Sequence, residues 1–174
     1  SFDINKLGKL INKQGMSNSK KDLTIVIDDC LYDKSLFSKK AIRNLFYNNE
    51  QLKINVIISM KFPVGLPEHY RQMIDYVFIG ECNNGFTVRR IFKNYGGAFS
   101  SFGIFKNKYN KYVSPNNYMI IDNTQYSDKL HDVLHAYSTK DKDLVILLKD
   151  GGKVIEDINK VVNDLMSNPS DAIA

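Results

Sequence analysis

The feature that most constrains this chain is an apolar strand that ends in two adjacent carboxylates. Residues 23–30 read Leu-Thr-Ile-Val-Ile-Asp-Asp-Cys, and turn and helix signals follow directly. In an α/β protein that hydrolyses nucleotides, this order places Asp28 at the carboxyl edge of the sheet, where it can hold Mg²⁺ through water. Asp29 then lies beside it, where it can polarise an attacking water. The pattern is typical of a Walker B strand.

A Walker B strand works together with a phosphate loop, and this chain has none. No Gly-x-x-x-x-Gly-Lys-Ser/Thr pattern occurs in the 174 residues. The chain begins at Ser1, and residues 2–11 have the pattern of a helix already under way. Two explanations stay open. The chain is the carboxyl-terminal part of a longer protein, or it is a nucleotide-binding fold that has lost its phosphate loop.

Composition predicts a globular domain without a membrane partner. With 43% hydrophobic and 25% charged residues, the chain has enough apolar material for a core. No apolar run has the length of a membrane span or of a signal peptide. Cys30 and Cys82 lack metal-ligand spacing, which favours free buried thiols in a reducing compartment.

Strand and helix patterns alternate along the chain, which predicts an α/β fold with a mostly parallel sheet flanked by helices. Strands are predicted at 23–28, 53–59, 74–79 and 118–121, with a further apolar run at 144–148. Helices are predicted from Asp33 or Ser35 to about Tyr47, at 68–73, in two segments separated at Gly96-Gly97, and at 153–166. We assign 1–22 to the end of a preceding helix or linker, 23–150 to the nucleotide-binding core, and 151–174 to a final helix and tail.

Ligands of such sheets bind at the carboxyl ends of the strands. The residues predicted to cluster there are Asp28, Asp29, Ser59, Lys61 and Asp122. A two-metal nuclease built on Asp28, Asp29 and Asp122 is a less favoured hypothesis from the same placement. His131 and His135 are four apart, as zinc ligands on one helical face would be, but without a third ligand a solvated helix face is favoured.

Residues 86–112 combine positive charge with aromatic rings and contain no Asp or Glu, in a chain of formal net charge +5. The basic residues are Arg89, Arg90, Lys93, Lys106, Lys108 and Lys111, and they predict a nucleic-acid face as readily as a solvated surface. The rings at 102, 105, 109 and 112 have helical spacing. Core packing is therefore favoured over base stacking for the aromatics.

Several short motifs follow one another over residues 23–137. They are Ile25-Val26-Ile27-Asp28-Asp29-Cys30, Leu45-Phe46-Tyr47-Asn48, Ile57-Ile58-Ser59-Met60, Phe62-Pro63-Val64-Gly65-Leu66-Pro67, Arg71-Gln72-Met73-Ile74-Asp75-Tyr76-Val77-Phe78, Tyr95-Gly96-Gly97-Ala98-Phe99 and Met119-Ile120-Ile121-Asp122-Asn123. In this order, the chain resembles the genome-packaging ATPases of poxviruses and other large DNA viruses, a branch of the FtsK-like P-loop translocases.

The resemblance implies a RecA/FtsK-like P-loop NTPase core, here without its phosphate loop, in an ATP-driven motor that moves double-stranded DNA into capsids. It implies ATP and Mg²⁺ as cofactors, a homo-oligomeric ring, capsid components as partners, and a location at viral assembly sites in the host cytoplasm or in the virion. Carried over by position, Asp28 and Asp29 are the Walker B pair, and Arg71 is the arginine before the third strand.

Two positions depart from the family pattern. The family's Asn-Gly-Arg-His turn is replaced by Asn48-Asn49-Glu50-Gln51, and its polar Gln at the end of the next strand is replaced by Lys61. An arginine that meets developing phosphate charge is typically worth about 10³ to 10⁵ in rate, so Glu50 in that role disfavours hydrolysis. Lys61 offers a positive charge near the phosphates. We therefore expect this chain alone to be inactive, and a non-catalytic relative that serves as a structural or DNA-binding subunit is the alternative.

Overall fold

A computed structural model describes residues 2–18, 21–31, 33–62, 65–82, 84–127 and 129–139. The chain divides into two compact units, one of Ser1–Ile74 with Asn84–Gly97 and one of Asp75–Asn83 with Ala98–Ala174. Each unit is described by itself. The predicted strand at 144–148 and the predicted helix at 153–166 lie outside the described residues.

The first unit combines a two-stranded sheet with helices. Its elements are α1 (Ile4–Met16), β1 (Leu23–Asp28), a 3₁₀ helix (Lys34–Ser38), α2 (Lys40–Tyr47), α3 (Asn49–Leu52), β2 (Ile54–Ser59), α4 (Glu68–Arg71) and α5 (Gly85–Tyr95). The second unit contains β3 (Tyr76–Ile79), α6 (Phe102–Tyr112), β4 (Asn117–Asp122), α7 (Leu130–Val133) and β5 (Leu134–Ser138).

Side-chain caps begin the helices where the sequence offers them. The Asp3 carboxylate accepts hydrogen bonds from the amides of Asn5 and Lys6 at the start of α1. Asp33 accepts from the Ser35 amide at 2.8 Å and so caps the 3₁₀ helix. The predicted helix up to Tyr47 is therefore two elements, the 3₁₀ helix and α2.

Strands β1 and β2 are parallel, as the sequence predicts, and their register runs from Leu23 opposite Ile54 to Asp28 opposite Ser59. The amides of Leu23 and Asp29 donate to the carbonyls of Lys53 and Ser59. The N–H and C=O groups of successive residues in a strand point to alternate edges. Those of Thr24 therefore point away from β2, to the other edge of β1.

The core of the first unit lies on one face of this sheet. Ile25 and Ile27 of β1 are buried there with Ile11 of α1 and with Ile42 and Leu45 of α2. Because side chains alternate between the two faces of a sheet, Asp28 and its partner on β2 lie on the face opposite this core.

Tyr70 of α4 joins the same core at 1% exposure. Its hydroxyl donates a 2.9 Å hydrogen bond to the Phe37 carbonyl, so the polar end of the buried ring is satisfied.

The sheet of the second unit is antiparallel. Strands are ordered β3-β4-β5, and Tyr76 faces Asp122 while Ile121 faces Leu134. The prediction of a mostly parallel sheet is confirmed for β1 and β2 and wrong for β3 and β4. The sheets of the described residues are small and mixed in direction. A short apolar strand has the same local pattern in either pairing, so its direction is set by contacts distant in sequence.

Helix α6 packs its rings inward in the second unit. Phe105 and Tyr109 are buried, Phe99 packs against Phe105 with ring centroids 5.0 Å apart, and α6 contacts β4. The prediction that the rings at 102, 105, 109 and 112 form core is confirmed for Phe105 and Tyr109, whereas Phe102 and Tyr112 are half-buried. The Tyr109 hydroxyl oxygen accepts a 2.8 Å hydrogen bond from the Cys82 amide.

Candidate functional site

Asp28 and Ser59 are a cross-strand pair at the carboxyl ends of β1 and β2. The Ser59 hydroxyl donates to Asp28 Oδ1 at 2.5 Å, and both residues are exposed. Parallel pairing brings the two strand ends to the same edge, which is why residues 31 positions apart can meet. The Asp28 Oδ2 atom has no hydrogen bond among the described residues, so it can hold a water.

Asp29 turns the chain away from the sheet immediately after β1. Its φ of 45° lies in the left-handed region, which Asp tolerates better than most residues. Its amide donates to the Ser59 carbonyl at 3.0 Å. The turn therefore fixes the second carboxylate of the pair relative to β2.

Lys61 forms an ion pair with Asp29. Its Nζ atom lies 3.1 Å from Asp29 Oδ2, and its amide lies 3.4 Å from Oδ1. The side-chain hydrogen bond from Lys61, followed by the amide, lowers the pKa of Asp29 from its ordinary value. The Lys61 side chain is 78% exposed and that of Asp29 is 42% exposed. Solvent therefore screens the pair.

Cys30 packs beside the acidic pair. Its thiol donates to the Asp28 carbonyl at 2.7 Å. The residue is half-buried, and the bond gives the thiol a structural role at the end of β1.

The Arg71 side chain forms a hydrogen bond with the loop that precedes α4. Its Nη1 atom donates to the Leu66 carbonyl at 2.6 Å, which ties α4 to the turn before it. The guanidinium also acts on Tyr95, whose pKa is raised by burial and lowered in part by the Arg71 charge. Among the described residues, Arg71 has no hydrogen bond or ion pair with Asp28 or Asp29.

Asp122 belongs to the antiparallel sheet of the second unit. Its Oδ1 atom accepts from the Thr124 amide at 2.8 Å and from the Thr124 hydroxyl at 2.6 Å, and His135 Nε2 lies 3.8 Å from Oδ2. The prediction that β4 ends at the carboxyl edge of one parallel sheet with β1 is wrong, because β4 pairs antiparallel in a separate sheet. The Asp-x-Thr spacing is a turn signal that sequence reasoning missed.

The two histidines do not share a helical face. α7 ends at Val133 and His135 lies on β5. His131 pairs with Asp132 at 3.2 Å. Within the described residues, no group of three or more His, Cys, Asp or Glu side chains suits a metal ion.

The six predicted DNA-binding residues divide between the units. Arg89, Arg90 and Lys93 are exposed on α5 of the first unit. On α6 of the second, Lys106 and Lys111 are exposed and Lys108 is half-buried. The ammonium groups of Lys108 and Lys111 lie 6.0 and 5.3 Å from the Tyr112 ring centroid, within cation–π range.

No helix within the described ranges is both long enough and apolar enough to cross a membrane.

The chain is similar in sequence to proteins of large DNA viruses. No family model matches. The chain is 27% identical over 131 residues to the uncharacterized protein L437 of Acanthamoeba polyphaga mimivirus, covering 75% of this chain and 46% of that protein. It is 30% identical over 129 residues to the uncharacterized protein 015R of Frog virus 3, covering 72% of this chain and 38% of that one. The chain thus spans about half or less of these relatives.

The fold is similar to that of solved viral packaging enzymes. The genome packaging NTPase B204 from Sulfolobus turreted icosahedral virus 2, in complex with AMPPCP, matches with a TM-score of 0.58 and 14% identity, over 78% of this chain and 62% of that one. B204, the DNA-packaging ATPase from Sulfolobus Turreted Icosahedral Virus, matches with a TM-score of 0.57 and 14% identity, over 78% and 62%. The chain is an α/β protein with homologues in large DNA viruses, and its fold is similar to that of a viral genome-packaging NTPase.

Proposed function

We propose that this chain is the Walker B part of a viral genome-packaging ATPase that translocates double-stranded DNA into capsids. The proposal rests on the hydrogen bond between Ser59 and Asp28 at the carboxyl ends of two parallel strands. The fold similarity and the viral relatives support the same class of protein.

Asp28 is the residue proposed to hold Mg²⁺ through water. Ser59 occupies one carboxylate oxygen and orients the group, and the other oxygen is left for a metal-bound water. ATP and Mg²⁺, when bound, supply the phosphoryl chemistry. A phosphate loop from outside this chain completes the site, since the 174 residues contain none.

Asp29 is proposed to polarise the attacking water, with Arg71 as a second catalytic residue and Lys61 as a phosphate contact. In the structure, Lys61 pairs with Asp29 and Arg71 binds the Leu66 carbonyl. Turnover therefore requires both cations to exchange these partners for phosphate oxygens. A carboxylate whose pKa is lowered accepts a proton less readily, so the resting pair opposes catalysis.

The basic residues of α5 and α6 are proposed to contact the DNA backbone. The motor works as a homo-oligomeric ring with capsid components, at viral assembly sites in the host cytoplasm or in the virion. These parts of the proposal follow from the resemblance to packaging ATPases.

The ion pair of Lys61 with Asp29 favours a second candidate function, a non-catalytic relative that acts as a structural or DNA-binding subunit. The pair neutralises the carboxylate on which hydrolysis depends. Glu50 is exposed on α3, where the family pattern has an arginine, and adds the wrong charge for that role.

One experiment separates the two candidates. A strand and phosphate loop taken from a packaging NTPase such as B204 are joined before Ser1, and ATP turnover of the chimera is measured. The packaging proposal expects turnover that Asp29→Asn abolishes and that Asp22→Asn, an exposed control before β1, leaves intact. The chain alone should show no ATP binding by calorimetry.

A folded chimera without turnover would reject the packaging-motor proposal. If the chain then binds DNA with a steep salt dependence, the non-catalytic function stands.

A further inference from the structure

Helix α2 has a polar face opposite its buried one. Ile42 and Leu45 are buried in the core of the first unit. Lys40, Arg43 and Tyr47 are three and four residues apart, so they form one stripe on the other side of the helix. None of the three takes part in the candidate site at the ends of β1 and β2.

This stripe lines one of two open grooves that have two lining residues in common. One has a volume of about 430 Å³ and is lined by Ser38, Lys40, Arg43, Asn44, Tyr47 and Asn48. The other has a volume of about 390 Å³ and continues past Asn44 and Asn48 to Asn12 of α1 and Gln51 of α3. Asn44 and Asn48 line both grooves, and we call the two grooves together the α2 groove.

The α2 groove is positively charged at one end. Lys40 and Arg43 are exposed, and within the part of the chain that the structure describes neither has an ion pair. No acidic side chain is among the lining residues of the described groove. Two unneutralised cations one helical turn apart suit the phosphates of a nucleic-acid backbone.

The middle of the groove offers an aromatic ring. Tyr47 is 50% exposed, and its ring meets the buried Tyr70 ring edge-on with centroids 6.0 Å apart. The contact fixes the orientation of Tyr47, while its exposed part is available to a base. Stacking of a base on such a ring is sequence-tolerant because every base has a π-face.

The other end of the groove carries carboxamides. Asn48 Nδ2 donates to Asn44 Oδ1 at 3.1 Å. This bond leaves Asn44 with an NH₂ group and Asn48 with an amide oxygen that have no partner among the described residues. A donor and an acceptor presented together match the edge of an unpaired base.

We infer that the α2 groove binds a single-stranded segment of nucleic acid. The cations hold phosphates, Tyr47 stacks a base, and the carboxamides meet base edges. A duplex hides its base faces within the stack, so the ring and the amides select for single strands. The inference uses none of the residues of the proposed ATPase site and does not depend on it.

The test measures binding of a fluorescein-labelled oligonucleotide of ten deoxyadenosines to the full chain by fluorescence anisotropy over a range of salt concentrations. For single strands, each phosphate contact contributes about 0.7 to the slope of log affinity against log salt concentration, so Lys40→Ala with Arg43→Ala should reduce the slope by about 1.4. Lys9→Ala with Lys13→Ala removes two exposed charges from α1 outside the groove and should change the slope less.

Substitutions at Tyr47 test the stacking contact. Tyr47→Leu should weaken binding about 5- to 150-fold, while Tyr47→Phe keeps the ring and should retain binding. A circular dichroism melt of each variant shows that the fold is intact.

Two results would overturn the inference. One is equal binding by the wild type and by the Lys40 and Arg43 double variant. The other is that Tyr47→Leu leaves binding of the single strand unchanged, while a ten-base-pair duplex or a ten-residue polyglutamate peptide binds as tightly as the single strand. The second result would mean that the groove attracts negative charge without recognising bases and, with the peptide, that it does not distinguish nucleic acid from another polyanion.

Discussion

The hydroxyl of Ser59 donates to Asp28 Oδ1 at 2.5 Å across the parallel pair of β1 and β2. The bond lies on the face of the sheet that the core does not cover. The two residues that it joins do not pack in the core, and their positions are set almost entirely by strand register.

Replacement of this hydroxyl should affect the site more than the fold. We expect Ser59→Ala to lower the free energy of unfolding by at most about 1 kcal/mol, because the hydrogen bond is exposed and water replaces it. In the chimera with a phosphate loop, the same change should lower ATP turnover, because Asp28 loses its orientation. Urea denaturation and an ATPase assay measure the two effects.

Ser100→Ala provides the matched control, since Ser100 is exposed and lies outside the site. A loss of turnover no larger than that of the control would contradict an orienting role for Ser59.

The ion pair of Lys61 should make stability depend on pH at the acidic end. The folded-state pKa of Asp29 is lowered from 3.8, so the pair contributes stability above pH 3.8 that is lost as pH falls through the folded-state pKa. Lys61→Gln removes the first cause of the shift, and the pKa of Asp29 should rise towards 3.8. Carboxyl carbon chemical shifts in an NMR titration report this directly.

Lys61→Arg is the conservative partner for that measurement, because it keeps the charge. An Asp29 pKa that stays equally low in Lys61→Gln would assign the shift to the backbone amide instead.

Tyr109 should ionise late in an alkaline titration. Burial raises its pKa from 10.0 to about 12, with the Cys82 amide as a smaller opposing cause. Because the raised pKa belongs to the folded state, Tyr109 contributes stability below pH 10 that is lost as pH rises towards 12. Absorbance at 295 nm should therefore show a late step that Tyr109→Phe removes.

Tyr126 is fully exposed, and Tyr126→Phe should leave the late step in place. If the late step survives in Tyr109→Phe, another tyrosine is responsible and the assignment fails.

The exposed cations of α5 should contribute to DNA binding through phosphates. If Arg89, Arg90 and Lys93 each contact one phosphate, their joint replacement by Ala should reduce the salt slope for duplex binding by about 2.7, at about 0.9 per contact. Anisotropy with a labelled duplex at several salt concentrations measures the slope. Lys9→Ala with Lys13→Ala serves again as the comparison, and an unchanged slope in the α5 variant would place the duplex elsewhere.

Local sequence patterns predicted the parts of the fold that depend on neighbours in the chain. The apolar runs of β1 and β2, the break at Gly96 between α5 and α6, and the inward position of Phe105 all follow from strand or helix periodicity. Gly96 also has a steric reason, since a Cβ there would lie 2.6 Å from the Phe92 carbonyl oxygen.

Pairing direction and the fifth strand could not be predicted in this way. β5 reads Leu134-His-Ala-Tyr-Ser, which has neither a continuous apolar run nor a clean alternation, and the helical spacing of the histidines suggested a helix instead. Whether β4 runs parallel or antiparallel to β3 is set by contacts between distant residues. The sequence therefore predicted correctly that Asp122 ends a strand, but it assigned that strand to the wrong sheet.

The position of Asp28 could be predicted from the sequence, but the interactions that Lys61 and Arg71 make could not. Sequence placed Asp28, Asp29, Ser59 and Lys61 at strand ends. That Lys61 neutralises Asp29, and that Arg71 holds a loop carbonyl, depends on side-chain geometry that spacing does not encode.

The outward backbone groups of β1 have a practical consequence for anyone who purifies this chain. Within the described residues β1 pairs with β2 alone, and the amide and carbonyl of Thr24 make no backbone hydrogen bond. Such a border is a template for another extended segment, including one from a second molecule. We expect the isolated chain to self-associate more as its concentration rises, and a companion polypeptide that supplies the missing strand to keep it dispersed.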